Sequence, residues 1–232
     1  MRSYLALLSA GFRRQTTYRL ALAAGLDVTD ALTYVWVLQG MFAVVWAPWV
    51  WETAEGIRSG EFLVELLRPG DPYLRLLAFD LGRTLSVLAT RTLPTLVVAG
   101  LVLELRLPAT VGGLAALAAS MVLAAVVSFQ FRFLFGSAAF WTPDYRSMFL
   151  LVFPVLWLAS GTVLPVDDFP EGLRRLVEWS PLIPLVMAPV RVATGASAGP
   201  VLAGQVAWTA ALWLAGRAVL AAAGRRLVVH GG

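Results

Sequence analysis

The stretch Ala109–Phe131 reads ATVGGLAALAASMVLAAVVSFQF, with no ionisable side chain anywhere in it. A helix needs about 20 apolar residues to cross a hydrocarbon core roughly 30 Å thick, and this run supplies them. Inside lipid each backbone polar group must find its partner within the segment, so such a run is read as helix. Working outward, Ala31–Trp51 is a second uncharged run. Leu76–Leu103 is apolar but carries Asp80, Arg83 and Arg91. Ser147–Leu164 and Val201–Ala223 complete the set, the last closed by Arg225 and Arg226. Short breaks at Glu104–Pro108 and Arg132–Arg146 separate the middle spans. The expected fold is all-α, a polytopic membrane helix bundle. With no internal repeat or low-complexity linker, residues 1–232 read as one domain.

Composition agrees. Hydrophobic residues make up 59% of the chain and charged residues 14%, with a mean hydropathy of +0.77. A soluble domain carries about a quarter of its residues as charges. The net charge of +4 comes from arginine alone, since the sequence has no lysine. These arginines sit at span ends and in short loops, where they orient a membrane protein, so nucleic acid is not the partner they imply. There is no cysteine and only one histidine, His230. A metal site built on either residue is excluded, and no carboxylate cluster offers another.

The ends raise a question of parity. Residues 1–19 carry Arg2, Arg13, Arg14 and Arg19 with an apolar stripe of Tyr4, Leu5, Leu7, Leu8 and Phe12. Because Arg13 and Arg14 follow the apolar run, the segment reads as an interfacial helix and not as a signal peptide. Arginine places both ends in the cytoplasm, yet five spans would separate them. Leu20–Val28, at about 13 Å of helix, cannot supply a sixth. The balance favours a first span only partly present in this chain.

Four features are candidates for function. Glu52–Arg75 is the most charged stretch, and within it residues 55–69 read as one short amphipathic helix ended by Pro69. Ile57, Phe62, Leu66 and Leu67 give it an apolar side; Arg58, Glu61, Glu65 and Arg68 a charged one. It is either a solvated loop or the seat of a docked partner. Asp80, Arg83 and Arg91 fall on one face of a regular helix, Asp80 and Arg91 about 20° apart. Asp80 can pair with Arg83 at i, i+3. Arg91, about 16 Å further along, either faces a polar pathway, backbone carbonyls or another subunit, or snorkels to the outer surface. Gly112, Ala116, Ser120, Ala124 and Ser128 recur at every fourth position, a stripe that lets a second helix approach closely. Finally, proline-rich residues 165–190 read as re-entrant outer helices, with Asp168 as the N-cap of the first.

No phosphate-binding loop of the GxxxxGK[ST] kind exists without lysine, and no nucleophile–base pair or carboxylate dyad is placed for hydrolysis. The chain does not read as an enzyme.

Three stretches carry a family likeness: Thr17-Tyr-Arg19 in the amino end; Leu32-Thr-Tyr34 with Ile57-Arg-Ser-Gly-Glu61 and Leu66-Leu-Arg-Pro69; and Leu164-Pro165, Phe169-Pro170 and Ser180-Pro181. Their order and spacing resemble the permease subunit of ABC type-2 exporters, in particular the bacterial six-span branch served by a separate ATPase. The resemblance implies that residues 55–69 form the coupling helix, with Glu55, Ile57, Arg58, Gly60, Glu61, Leu66, Arg68 and Pro69 meeting the ATPase. It implies that residues 165–190 cap a pathway between two permease subunits, in a homodimer or a heterodimer. It further implies no cofactor of the chain's own, ATP being bound by the ATPase subunit, and a place in the bacterial inner membrane with both ends cytoplasmic. One departure stands out: the interval between Tyr18-Arg19 and Asp27 is roughly 25 residues too short for the family's first span. The competing expectations are a membrane scaffold or assembly subunit without transport. An ion-coupled transporter would need more intramembrane carboxylates than Asp80.

Overall fold

The computed structural model describes residues 28–45, 51–103, 105–142, 144–161, 166 and 169–227. The expected interfacial helix over 1–19, the Leu20–Val28 interval up to Asp27, and Asp168 lie outside them. Among the described residues all regular structure is helical. Helix α1 is Val28–Val45, and two short helices follow, α2 (Glu52–Ser59) and α3 (Glu61–Leu67). Helix α4 (Pro72–Val87) runs through a π turn at Leu88–Thr92 into α5 (Leu93–Leu103). Helix α6 is Val111–Ser137 and α7 is Tyr145–Ala159. Helix α8 (Glu171–Glu178) is followed by a second π turn at Ile183–Met187, by α9 (Ala188–Ala193) and by α10 (Ala198–Leu227).

Among the described residues three helical stretches are long and apolar enough to cross a bilayer: Pro72–Leu103, Val111–Phe140 and Ala198–Arg225. Glu171–Glu178 and Ile183–Ala193, bent by 72°, make a fourth if the pair counts as one broken span. Helix α1 is apolar but shorter, 18 residues or about 27 Å. In the run from Ser147 to Leu164, expected to cross, the described helix is Tyr145–Ala159 and contains Pro154. It stops where Gly161 turns into the left-handed region at φ 77°. Gly161 is required there twice over, because a Cβ would also lie 2.9 Å from Val166 Cγ2.

Both π turns end two residues before a proline, Pro94 and Pro189. Proline has no N–H to give the carbonyl four residues back, and its ring collides with that carbonyl in a regular helix. A wider turn lets each helix pass its proline without stopping. In the first case the turn also seats a neighbour. Thr92 Oγ1 donates to the Gly40 carbonyl at 3.0 Å, and a Cβ on Gly40 would fall 2.8 Å from the Thr92 methyl.

Helices α6 and α10 form the most extensive helix pair. The core lies between them, α1 and the Leu182–Ala193 segment, whose Leu185, Val186 and Val190 are almost fully buried. That segment is short for a crossing, and it is held by side-chain donors from the spans. Gln205 Nε2 on α10 donates to both the Ser120 and the Pro184 carbonyls, each at 3.0 Å. The Tyr34 hydroxyl on α1 donates to the Gly161 carbonyl at 3.1 Å and meets Met187 Sδ of the segment at 3.5 Å. Buried non-helical backbone is tolerated only where protein groups satisfy it, and these do so.

Several expectations need correction. The segment expected as one helix over 55–69 is two, because Gly60 sits at φ 82° and closes α2 with a left-handed cap. The turn expected from Arg132 begins later: α6 continues to Ser137 and carries Arg132 inside it. In the first outer helix Pro170 occupies the N-cap position before Glu171 and makes no side-chain cap hydrogen bond.

Candidate functional site

The end of the bundle that holds α2 and α3 concentrates the charged side chains. Its scaffold starts with Asp71, the N-cap of α4, whose carboxylate accepts from the Tyr73 and Leu74 amides at 2.9 and 3.1 Å. Pro72 follows at the first helical position, where a missing N–H costs nothing. Arg217 of α10 forms an ion pair with the same carboxylate. Burial pushes the Asp71 carboxyl upward, but the Leu74 amide, Arg217 and the Tyr73 amide together hold it below its ordinary value. Tyr73, fully buried, then packs edge-on against Phe133 and Trp213 at centroid distances of 4.9 and 4.8 Å. It fits because residue 216 is glycine: a Cβ there would lie 2.6 Å from the Tyr73 hydroxyl.

Helix α2 rests on the end of α6 by the same device. A Cβ on Gly136 would lie 2.7 Å from Thr53 Cβ and 3.3 Å from the Ala54 amide. Helix α3 is anchored by Phe62, buried in a cluster with Tyr73, Phe129 and Phe133 and edge-on to Phe140 at 5.4 Å. Ile57 and Leu66 pack against that cluster. The apolar ridge expected to await a partner is therefore turned largely onto the chain's own bundle. What remains exposed is Leu63, Val64 and Leu67, the last 86% exposed, beside exposed Arg58, Glu61, Arg68 and Pro69.

The ionic ties run from this segment to different spans. Glu52 accepts from Arg83 Nη1 on α4 with both oxygens at 2.7 Å. Glu55 pairs with Arg146 at 2.9 Å, at the start of α7, and Glu65 with Arg75 at 2.8 Å. Arg75 Nη1 also donates to the Arg68 and Pro69 carbonyls, closing the α3–α4 turn. Beneath them lies a buried pair. Arg132 on α6 donates to Asp80 on α4 through two nitrogens, at 3.0 and 2.7 Å, and both residues are more than nine-tenths buried. Arg132 Nε donates to Ser128 Oγ at 3.2 Å, and Ser128 Oγ to the Val45 carbonyl of α1 at 3.1 Å. Arg83 also reaches Asp80, at 3.5 Å. Between the charged segment and α4 and α6 opens a cleft of about 500 Å³, lined among others by Glu55, Ser59, Phe62, Phe79, Asp80 and Arg83.

Asp80 and Arg83 are thus brought together as their spacing implies, but the stronger partner of Asp80 is Arg132. Sequence reading missed Arg132 because its charge looked like the end of an apolar run. The aromatic residues on either side, Phe129, Phe131, Phe133 and Phe135, were the available signal that the span continues. Arg91 is not gathered into this site. The π turn holding it under-winds the helix, so Asp80 is buried while Arg91 is exposed, and they do not share a face. Among the described residues no carboxylate pairs with Arg91. Of the small-residue stripe, Ser120, Ala124 and Ser128 are buried, Ala116 is half-buried, and Gly112 is exposed with open space where a side chain would go. Ser120 and Ser128 have a second use beyond close packing, as the carbonyl and hydroxyl that receive Gln205 and Arg132.

Long apolar helices, a bent pair whose second member is buried and a charged two-helix element tied to them by ion pairs define a multi-pass membrane protein with a polar end. The chain belongs to a known family on comparison: the family described as "ABC-2 family transporter protein" matches residues 16–231. It is a family of membrane transport components. No curated protein and no solved structure matches the chain.

Proposed function

We propose that the protein is the permease subunit of an ATP-driven exporter. In this reading α2 and α3 together are the coupling element, meeting a separate ABC ATPase through Arg58, Glu61, Leu63, Leu67 and Arg68. ATP is bound by that partner and not by this chain. Two permease subunits, identical or similar, enclose the pathway in a bacterial inner membrane, with both chain ends in the cytoplasm. The outer re-entrant segment over 165–190 caps the pathway. Arg91, exposed about 18 Å along the helix from its Leu103 end, faces the second subunit or the pathway itself. Helical side chains lean toward the helix N-terminus, so its guanidinium extends toward the inner side.

The observation that carries the reading is the double character of the α2–α3 segment. It is bound to spans by ion pairs at Glu52, Glu55 and Glu65, yet offers apolar Leu63, Val64 and Leu67 with charged neighbours outward. A solvated loop needs neither feature. A coupling element needs both: a face for the motor and rigid ties to what the motor moves.

The test is to purify the tagged chain from its native membrane. An ATPase should co-purify, and its activity should change when Arg58→Glu or Glu61→Arg is introduced. A purified chain with no ATPase, or an ATPase indifferent to both reversals, overturns the reading in favour of a scaffold.

A further inference from the structure

We propose that Asp80 and Arg132 are positioning residues that pass displacement of the α2–α3 segment to the spans, and that the 500 Å³ cleft is the space into which the segment moves. The proposal rests on the permease reading and adds to it the route by which the spans are driven.

Four elements are joined by one continuous set of polar contacts. It runs from Glu52 to Arg83, from Arg83 to Asp80, from Asp80 to Arg132, and from Arg132 through Ser128 to the Val45 carbonyl. The charged segment, α4, α6 and α1 are thereby linked in order. The segment's other ties are weaker carriers. Glu55–Arg146 has both side chains more than half exposed, and exposed pairs contribute little and slip easily. Glu65–Arg75 binds α3 only to the start of α4, ten residues along the chain. Asp80–Arg132 is more than nine-tenths buried and held by two hydrogen bonds, so it yields little before the helices that carry it move. A buried pair of this kind is seldom worth more to stability than well-packed apolar residues. Its presence calls for another use.

The cleft supplies the freedom such a relay needs. One wall is Glu55, Gly56 and Ser59 of α2; the other is Phe79, Asp80 and Arg83 of α4. Gly56 has no atom within 4 Å of where a side chain would start, so the cleft is open beside this point of α2. Arg83 stands at the joint, bonded to Glu52 at 2.7 Å and to Asp80 at 3.5 Å. Inward movement of α2 shortens the second contact and loads the Asp80–Arg132 pair.

The sequence contains no cysteine, so a single introduced thiol is the only one on this chain that a maleimide can label, read from this chain's own band after the complex is separated. Ser59→Cys reports on the cleft. Ala196→Cys, exposed just before α10, reports on the opposite end, about 30 Å along that helix from Arg217. Both are prepared in the permease–ATPase complex in lipid nanodiscs and labelled with fluorescein maleimide, with and without ATP and vanadate. Trapping should slow Ser59→Cys labelling and alter Ala196→Cys labelling, each by about fivefold, the lower range of measured site-to-site coupling. In Asp80→Leu/Arg132→Leu the cleft response should remain and the Ala196→Cys response should vanish. An Ala196→Cys response that persists in the double variant overturns the relay. Ser59→Cys labelling unchanged by trapping overturns the cleft's role. If the double variant does not assemble, the surface change Glu52→Gln decides: it must weaken the distant response while leaving ATPase binding intact, and an undiminished response refutes the proposal. Absence of any bound ATPase is a separate result, which removes the permease reading itself.

Discussion

Asp80 and Arg132 invite a thermodynamic cycle whose outcome is unequal in its two arms. Asp80→Leu leaves Arg132 charged, buried and holding only the Ser128 hydroxyl, since the described structure brings it no second carboxylate. Breaking a buried pair this way costs about 3–5 kcal/mol, most of it the stranded charge. Arg132→Leu is milder, because Asp80 keeps Arg83 at 3.5 Å, a partner with access to water. Its cost should fall at or below about 3 kcal/mol, the low end of the same range. The double variant removes both charges and replaces them with apolar volume, so it should lie within about 1 kcal/mol of the parent or be more stable. Unfolding of the purified chain in mixed micelles with increasing SDS, followed by tryptophan fluorescence, gives the free energies. The singles would then sum to roughly 6 kcal/mol against a double near zero, a large negative coupling. Additive singles would refute the pairing. An Arg132 variant costlier than the Asp80 variant would refute the assignment of Arg83 as second partner.

Three further outcomes follow from the packing. Gly136→Ala forces Thr53 Cβ from a 2.7 Å contact, so α2 must lift from α6, with a loss of about 1–3 kcal/mol by overpacking and faster proteolysis between residues 52 and 67. Gln205→Leu strips the amide donor from the Pro184 carbonyl, at about 1–3 kcal/mol for that group, while the Ser120 carbonyl keeps its place in the α6 ladder. Amide exchange should then rise over 183–193 before it rises in α10. Asp71 tests the electrostatics. Its native carboxyl is held below the ordinary 3.8, so its contribution is complete above that value and fades as pH falls through the native one. Asp71→Asn should flatten the acid-side fall in thermal stability while lowering stability near neutrality; an unchanged acid limb would contradict the Asp71–Arg217 contact.

Some of this was legible in the chain. Long uncharged runs mean helices in lipid wherever they lie, because the cost of bare backbone is paid locally; the sequence alone therefore determined the all-helical, multi-pass class. It also marked the charged end, since eight charged residues in Glu52–Arg75 cannot lie in hydrocarbon. The order and spacing of its motifs pointed to the family that residues 16–231 match. Pairing was another matter. Hydropathy is read along one dimension, and a charge within it looks like a boundary. Arg132 became interior only because α4 presents Asp80 to α6 across 52 residues of sequence. Arg91 parted from Asp80 because a π turn ahead of Pro94 changed the helical phase on which their shared face depended. The ridge of Ile57, Phe62 and Leu66 looked free until Tyr73, Phe129 and Phe133 were found beneath it. Burial and ion pairing depend on which helices are neighbours, and only tertiary structure chooses the neighbours. The sequence determined what had to be helix and what had to stay near water; packing decided which charges meet.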